Sequence, residues 1–254
     1  MVSRLAPLAP QPAAKPLPAR SVVLSLLLGS HPDRMGPAQV TAAGEHFGIP
    51  ASTMRVALTR AVAAGDLRRE DGDYVLGERL VVRQSQQDEA VEDAGAQGAE
   101  TAWDGSWEMA VVVVSGRSGS ERAALRDQLV AGRLAELREG VWTRPANLRR
   151  TPSYAGDPVL SSFRVRPDDD PRQLARELWD LADWAATGRG LLRRLARTKA
   201  PAPRLAVAAH VVRHLTADPL LPRELLPADW PGAELRTAYA DYQAELRTLG
   251  VTET

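Results

Sequence analysis

The chain has 254 residues, and its 32 Lys and Arg are balanced by 32 Asp and Glu, so the formal net charge is zero. This length allows two or three small domains or one large one. The charge balance excludes a globally basic nucleic-acid binder but leaves room for a locally basic surface. Because the sequence has no cysteine, disulfides, thiolate catalysis and cysteine-based zinc sites are excluded.

The first 19 residues are interrupted throughout by proline, which predicts a disordered arm rather than a secretory signal. The longest apolar stretch, from Ser21 to Gly29, is too short to cross a membrane. We therefore expect no membrane partner, and the cytoplasm is the default location.

Residues 20–83 predict three helices followed by a hairpin. The first helix ends at Gly29 before a turn in "HPDRMG", the second begins at Pro37 and closes on Gly48, and the third runs from Ala51 to Ala64. The segments "DLRRE" and "DYVL" then predict two short strands around an Asp-Gly turn. This order indicates a winged helix-turn-helix domain.

The third predicted helix has an apolar face and a polar face. On a helical wheel, Met54, Ala57, Leu58, Ala61 and Val62 share one side and should pack on the other two helices. Arg, Ser and Thr on the other side could reach base edges and phosphates in a groove about 12 Å wide. An ordinary solvent-exposed helix would give the same pattern. The candidate DNA-binding residues of this helix and the hairpin are Ser52, Thr53, Arg55, Val56, Thr59, Arg60, Arg68 and Arg69.

The rest of the chain predicts an α+β fold. Residues 84–101 are acidic and lack Lys and Arg, which favours a solvated linker or an exposed helix. Residues 102–187 begin with a strand through four valines, continue with a helix over "ERAALRDQLVAGRLAEL" and two strands, and end in a helix capped by Asp170. This order suggests a ferredoxin-like domain. Residues 188–254 predict a helical C-terminal domain.

Several segments resemble, in order, the PaaX family, whose members are repressors of phenylacetic acid catabolism. The resemblance is carried by "ASTMRVALTRAVAAGDL", "WDGSWEMAVV", "GVWTRP", "ELWDLADW" and "LLPADWPG". It implies a homodimeric transcriptional repressor that binds double-stranded DNA. It also implies release from DNA by a small-molecule effector, phenylacetyl-CoA or a related thioester. A dimer would also supplement the modest affinity expected from one mildly basic module.

A pocket for an aryl-CoA effector would need aromatic walls and cations. Trp142, Trp179 and Trp184 are candidates for the walls, and Arg149 and Arg150 for the CoA phosphates. The alternative is that the tryptophans belong to the core and that the arginine pair is solvated.

The remaining constellations give no catalytic site, metal site or cofactor. His210 and His214 are four apart but lack a third ligand, and Asp168–Asp170 fits a helix cap better than a metal site. "SGRSGS" lacks the Walker spacing and lysine, which predicts a turn capped by Ser120, with an anion held by its amides as a minor alternative.

Two other function classes are alternatives to the repressor. A metal-dependent nuclease built on the ferredoxin-like domain would need a carboxylate near the end of the first strand, where "VVVVSGRSGS" has none. The second alternative is a scaffold whose winged helix binds another protein.

Overall fold

The computed structural model describes residues 16–92, 103–148, 150–152 and 154–251. The described residues form an α+β fold with helices and two antiparallel sheets, as predicted. Residues 1–15 of the predicted arm lie outside this description, whereas Ala19 already belongs to the first helix.

The N-terminal segment contains the predicted three helices and the predicted hairpin. Helix α1 ends before Gly29, and Pro37 occupies the first position of α2. The predicted turn in "HPDRMG" was incomplete, because it also contains the short strand β1, which pairs with β3. The elements are α1 (Ala19–Leu28), β1 (Arg34–Met35), α2 (Pro37–His46), α3 (Ala51–Ala63), β2 (Leu67–Glu70) and β3 (Asp73–Leu76).

The β2–β3 hairpin closes on a two-residue turn. Asp71 and Gly72 have φ angles of 51° and 92°, and Glu70 pairs with Asp73 on either side of them. Positive φ at both central residues defines a type I′ turn, which matches the twist of a hairpin. The Asp-Gly pair therefore fixes the hairpin register, and β3 lies between β1 and β2 in the sheet.

Helix α4 (Glu78–Val91) covers part of the predicted linker. Of the two alternatives for this segment, a helix is present up to Val91, and residues 93–102 lie outside the described part. The helix is not exposed on all sides, because Leu80, Gln84 and Gln87 are buried. The Gln84 amide donates to the carbonyl oxygens of Leu28 at 3.2 Å and Ser30 at 3.0 Å, so it caps the end of α1.

The second sheet differs from the prediction in two places. The strand through the valines stops early, and Val113 and Val114 are exposed because they lie beyond the pairing with β7. The predicted helix over residues 121–137 ends at Ala131, because Gly132 caps it and the chain enters an additional strand. The elements are β4 (Trp107–Val112), α5 (Gly119–Ala131), β5 (Ala135–Arg138), β6 (Val141–Pro145) and β7 (Leu160–Val165), in the sheet order β5-β6-β4-β7.

The C-terminal part is helical. Asp170 caps α6 by accepting from the Arg172 amide at 2.9 Å, and Pro171 is the first helical residue, as predicted. The helix predicted through "WDLADWAATG" is divided in two, because Trp179 adopts an extended conformation. The elements are α6 (Pro171–Leu178), α7 (Leu181–Arg197), α8 (Pro201–Thr216), a 3₁₀ turn (Arg223–Leu225) and α9 (Gly232–Val251).

The chain forms two compact units that are discontinuous in sequence. The first unit comprises the residues up to Asp88, Gly190–Arg213 and the residues from Thr237 onward. The second unit comprises Glu89–Arg189 and His214–Arg236. These units are not consecutive blocks, so the predicted domain limits of 20–83, 84–101, 102–187 and 188–254 stay predictions.

Asp66 connects three segments of the first unit. Its side chain is 2% exposed and accepts from Arg20 of α1 at Nε (3.0 Å) and Nη2, and from Arg79 of α4 at 2.9 Å. Its backbone carbonyl accepts from the Gly77 amide at 2.7 Å. Burial opposes ionisation, but the hydrogen bonds and charges of the two arginines outweigh it and lower the pKa of Asp66.

We expect Asp66→Asn to lower the free energy of unfolding at pH 7 by about 1–3 kcal/mol, because charge-assisted hydrogen bonds are lost. A carboxylate with a lowered folded-state pKa stabilises the fold above its unfolded pKa of about 4, and this contribution disappears as the pH falls through the folded value. The difference between wild type and variant should therefore shrink below pH 4. Urea unfolding of both proteins at pH 7 and below pH 4 measures this difference in the free energy of unfolding.

Asp241→Asn is the matched control, because Asp241 is exposed on α9. Equal stability of wild type and Asp66→Asn at pH 7 would contradict this account of the Asp66 junction.

Candidate nucleic-acid interface and effector residues

Helices α2 and α3 are joined by the tight turn Phe47–Pro50. Gly48 has a φ angle of 73°, and the Ile49 amide donates to the Gly44 carbonyl oxygen at 3.0 Å, which closes the end of α2. The two helices then approach closely, because a Cβ at Gly44 would lie 2.4 Å from Cγ of Met54. Glycine at this position therefore allows α3 to pack against α2.

The apolar face of α3 is buried, as the helical spacing predicted. Met54, Ala57, Leu58 and Ala61 are 6% exposed or less, and Val62 is half-buried at the edge. This face packs against α1 and α2. The eight candidate DNA-binding residues are all exposed, and Val56, at 51%, is the most apolar among them.

The exposed face of α3 carries hydrogen-bond donors that have no acceptor among the described residues. Within the described part of the chain, neither Arg55 nor Arg60 forms an ion pair or a side-chain hydrogen bond. The Thr59 hydroxyl donates to the Arg55 carbonyl oxygen at 3.0 Å and keeps its lone pairs free to accept. Ser52 and Thr53 lie in the first turn of α3. The backbone N–H groups there have no acceptor within the helix and can donate hydrogen bonds to a phosphate.

The hairpin arginines are less available than those of α3. A guanidinium nitrogen of Arg68 lies 3.2 Å from the Glu70 carboxylate, and the Arg69 guanidinium lies 4.6 Å from the centre of the Tyr74 ring. Both side chains are still exposed and can turn toward a phosphate. The tip itself is acidic, since Asp71 lies in the turn and Glu70 and Asp73 flank it, so any contact with nucleic acid would be made by the sides of the hairpin.

Of the four candidate effector residues that the structure describes, two line the same cleft. Trp142 and Trp179 line one cleft of about 720 Å³ in the second unit. Trp184 lies elsewhere, stacked between Trp230 and His214 with ring centres 4.2 Å from each. Arg150 donates to the Gly132 carbonyl oxygen at 2.7 Å and pairs with Glu89 at 3.4 Å, and Arg149 lies outside the described residues.

Trp142 is 5% exposed and belongs to the core of the second unit, so the core interpretation holds for most of its surface. It packs with Ala110, Leu125, Leu129 and Tyr154. The Tyr154 hydroxyl donates to Glu108 at 2.6 Å, and burial followed by this hydrogen bond raises the pKa of Tyr154. Burial lowers the pKa of the neighbouring Arg144 to about 10.

Sequence reasoning missed three arginines that line a cleft together with Trp142. They are Arg117, Arg122 and Arg126, which line a second cleft of about 560 Å³. The signal that could have found two of them is the spacing of four between Arg122 and Arg126, which places both on one face of α5. Their proximity to Trp142 depends on tertiary packing.

The predicted cap of α5 was wrong by two residues. Ser118, not Ser120, is the N-cap, because its hydroxyl accepts from the Glu121 amide at 3.2 Å. The Glu121 carboxylate in turn accepts from the Ser118 amide at 2.7 Å, completing a capping box. The start of this helix is therefore occupied by its own carboxylate and does not offer the predicted alternative site for an anion.

The described residues can also be searched for metal ligands and for membrane-spanning helices. Across residues 16–92, 103–148, 150–152 and 154–251, no three His, Asp or Glu side chains are grouped closely enough to hold a metal ion. His210 is exposed on α8, whereas His214 is engaged with the Trp184 carbonyl oxygen at 3.0 Å. None of the described helices combines the length and apolar character that a membrane crossing requires.

Comparisons with known proteins match three parts of the chain to models of one family. Residues 18–80 match the model of PaaX-like proteins, residues 100–154 match the PaaX protein central Cas2-like domain, and residues 179–252 match the PaaX-like protein C-terminal domain. The chain belongs to the PaaX family.

A solved structure with similar sequence and fold is that of the uncharacterized protein Rv0674 from Mycobacterium tuberculosis. It is 44% identical, with a TM-score of 0.76, over 91% of this chain and 97% of that one. The comparison with curated proteins gave no match.

We expect Gly44→Ala to destabilise the protein by about 1–3 kcal/mol, because the added methyl group overlaps the buried Met54 side chain. The shift of α3 should also weaken any function of its exposed face. Thermal unfolding measures the first effect. Gly48→Asn is the control for chain flexibility, since asparagine tolerates a positive φ and the site has open space. A Gly44→Ala protein as stable as wild type would contradict the close approach of the two helices.

Proposed function

We propose that this protein is a dimeric, ligand-responsive, DNA-binding transcriptional repressor. In this proposal α1–α3 and the β2–β3 hairpin form a winged helix-turn-helix domain, and α3 is the recognition helix. The observation that carries the proposal is that α3 buries its apolar face while Arg55 and Arg60 remain exposed and unpaired within the described residues. Membership of the PaaX family supports the same function.

Each exposed residue of α3 has a chemical role in the proposed complex. Arg55 and Arg60 can donate to guanine edges or phosphates, and the Val56 side chain can contact a thymine methyl group. Ser52 and Thr53 can bind a phosphate at the start of the helix. Arg68 and Arg69 on the hairpin can contact the DNA backbone or the minor groove, at the cost of weak contacts with Glu70 and Tyr74.

The second sheet supports a ferredoxin-like assignment for the middle domain. Its strand order β5-β6-β4-β7 is, in order along this domain, 2-3-1-4, and all neighbouring pairs are antiparallel. The residues between β6 and β7 that the structure describes do not form the second helix of the usual motif. We propose that this domain contributes to dimerisation and that a dimer reads a site with two-fold character.

The proposed effector is an aryl-CoA thioester such as phenylacetyl-CoA, as the family resemblance implies. The effector would act by a population shift. It must bind more tightly to the conformation that is unable to bind DNA than to the conformation that binds DNA. Equal affinity for both conformations would leave DNA binding unchanged, however tight the complex.

The DNA proposal predicts that Arg55→Ala combined with Arg60→Ala weakens binding to the protein's own promoter DNA at least tenfold at low salt. Each arginine that neutralises a phosphate also contributes about one unit to the slope of log affinity against log salt, so the slope should fall by up to about two units. Fluorescence anisotropy over a salt series measures both quantities.

Arg193→Ala combined with Arg197→Ala is the matched control, because it removes the same charge from exposed positions of α7. Unchanged DNA affinity in the α3 variant would overturn the assignment of α3. Retained binding of a protein partner together with absence of DNA binding in the wild type would favour the scaffold instead.

The effector proposal predicts that phenylacetyl-CoA releases the wild-type protein from promoter DNA in a gel-shift titration. Free phenylacetate is the control for the aromatic group alone, and free CoA is the control for the phosphates alone. DNA binding that persists at every thioester concentration would reject this effector and leave the DNA proposal standing.

A further inference from the structure

Two clefts adjoin at Trp142 in the second unit. The tryptophan cleft, of about 720 Å³, includes Trp142 and Trp179 in its wall. The loop cleft, of about 560 Å³, includes Arg117 and Arg122 and lies beside the loop that precedes α5. Because several residues line both clefts, one ligand could occupy both. The shared residues are Arg126, Glu136, Glu139 and Trp142.

The arginines of the loop cleft retain donors for a ligand. Arg122 is exposed, and no described residue bonds to its side chain. Arg117 uses Nη2 to donate to the Glu121 carbonyl oxygen at 2.9 Å, while its Nη1 is shielded from solvent and has no acceptor among the described residues. Arg126 donates to Glu136 at 2.9 Å, and its guanidinium lies 5.4 Å from the centre of the Trp142 ring.

An anion in this cleft would be held by guanidinium groups rather than by helix amides. The amides at the start of α5 are capped by Ser118 and faced by the Glu121 carboxylate. Guanidinium groups bind phosphate with two parallel N–H donors, which is a geometry that a single amide lacks. The charge of the cleft walls also favours an anion, since Glu136 is already paired with Arg126 and leaves Glu139 as the other carboxylate.

The tryptophan cleft combines charged side chains with an apolar wall. Val130, Leu134 and Pro219 accompany Trp142 and Trp179 in its wall. Walls of this kind accept a flat apolar group, and stacking on an indole adds directional preference. Its volume falls in the range that holds a drug-sized molecule.

We infer that a phosphorylated ligand with a flat aromatic or apolar group binds across the two clefts. Its phosphates contact Arg117, Arg122 and Arg126, and its apolar group lies against Trp142 and Trp179. This site differs from the Arg149–Arg150 pair expected from the sequence. The inference deepens the proposed effector response and rests on the proposed function for its effect on DNA, whereas ligand binding itself does not. The same chemistry is shared by nucleotides and by CoA thioesters.

Isothermal titration calorimetry on the full-length protein, with phenylacetyl-CoA, free CoA and ATP as probes, tests the site. We expect Arg117→Ala combined with Arg122→Ala to weaken binding about 100-fold, because two charge-assisted hydrogen bonds each contribute about tenfold. The control Arg176→Ala removes an exposed arginine of α6 that lines neither cleft and should change affinity less than twofold. Arg122→Glu alone should weaken binding at least tenfold with the thermal unfolding temperature unchanged, since the side chain is exposed and no described residue bonds to it.

The probes distinguish the two sources of the ligand. Tighter binding of phenylacetyl-CoA than of CoA supports the site and assigns the tryptophan cleft to the acyl group. Equally tight binding of ATP, with the same dependence on the arginines, supports the site and assigns it to a nucleotide. Absence of binding by all three probes at millimolar concentration, or unchanged affinity in the double variant, overturns the inference.

Gel shifts on the same preparations separate this inference from the proposed function. A wild-type protein that binds promoter DNA but none of the probes would overturn the ligand site and leave the DNA-binding proposal intact. A protein that binds a probe through Arg117 and Arg122 but never binds promoter DNA would retain the ligand site and overturn the proposed repressor.

Discussion

The burial of one face of α3 is the constraint on which the proposed DNA reader depends. Met54 and Leu58 are at most 1% exposed, and each buried side chain of this size stabilises the fold by about 1.5–3 kcal/mol. Rotation of the helix about its axis would expose these residues, so burial fixes the direction in which Arg55 and Arg60 project. The polar face therefore needs no ion pairs to hold it in place. Its arginines can remain unpaired, which is the state that a nucleic-acid partner requires.

The elements that the sequence predicts well are those with strong local signals. Gly29, Pro37 and the Asp71–Gly72 turn set the limits of α1, α2 and the hairpin through backbone conformation, which does not depend on distant residues. The strands β1 and β5 have no such signal. β1 is two residues long and is stabilised by pairing with β3. The residues of β5 fit the helical spacing of α5, but Gly132 ends that helix and β5 pairs with β6. In both places strand pairing overrides the local pattern, across a long sequence separation for β1 and within a hairpin for β5.

The candidate sites also differ in how far local sequence patterns predict them. The polar face of α3 follows from helical periodicity alone, so the sequence was sufficient to select its residues. The surroundings of Trp142 depend on the packing of α5 against the β5–β6 hairpin, and no spacing in the sequence brings Arg117 toward a tryptophan 25 positions later. The sequence could likewise not show that Trp184 stacks on Trp230, because their contact joins α7 to the distant loop that precedes α9.

The arginines of the second unit differ in how much a ligand would have to displace. Arg133 is buried and donates to the carbonyl oxygens of Thr216 and Asp218, so withdrawing it would leave buried acceptors unpaired at about 1–3 kcal/mol each. Arg126 pairs with Glu136 near solvent, and an exposed pair contributes about 0–1 kcal/mol. A phosphate can therefore recruit Arg126 and Arg122 but not Arg133. Allosteric coupling typically requires 1–3 kcal/mol of difference in binding free energy between two conformations. One guanidinium–phosphate contact made in only one of two conformations is of that size, and it would change DNA binding only if those two conformations also differ in their affinity for DNA.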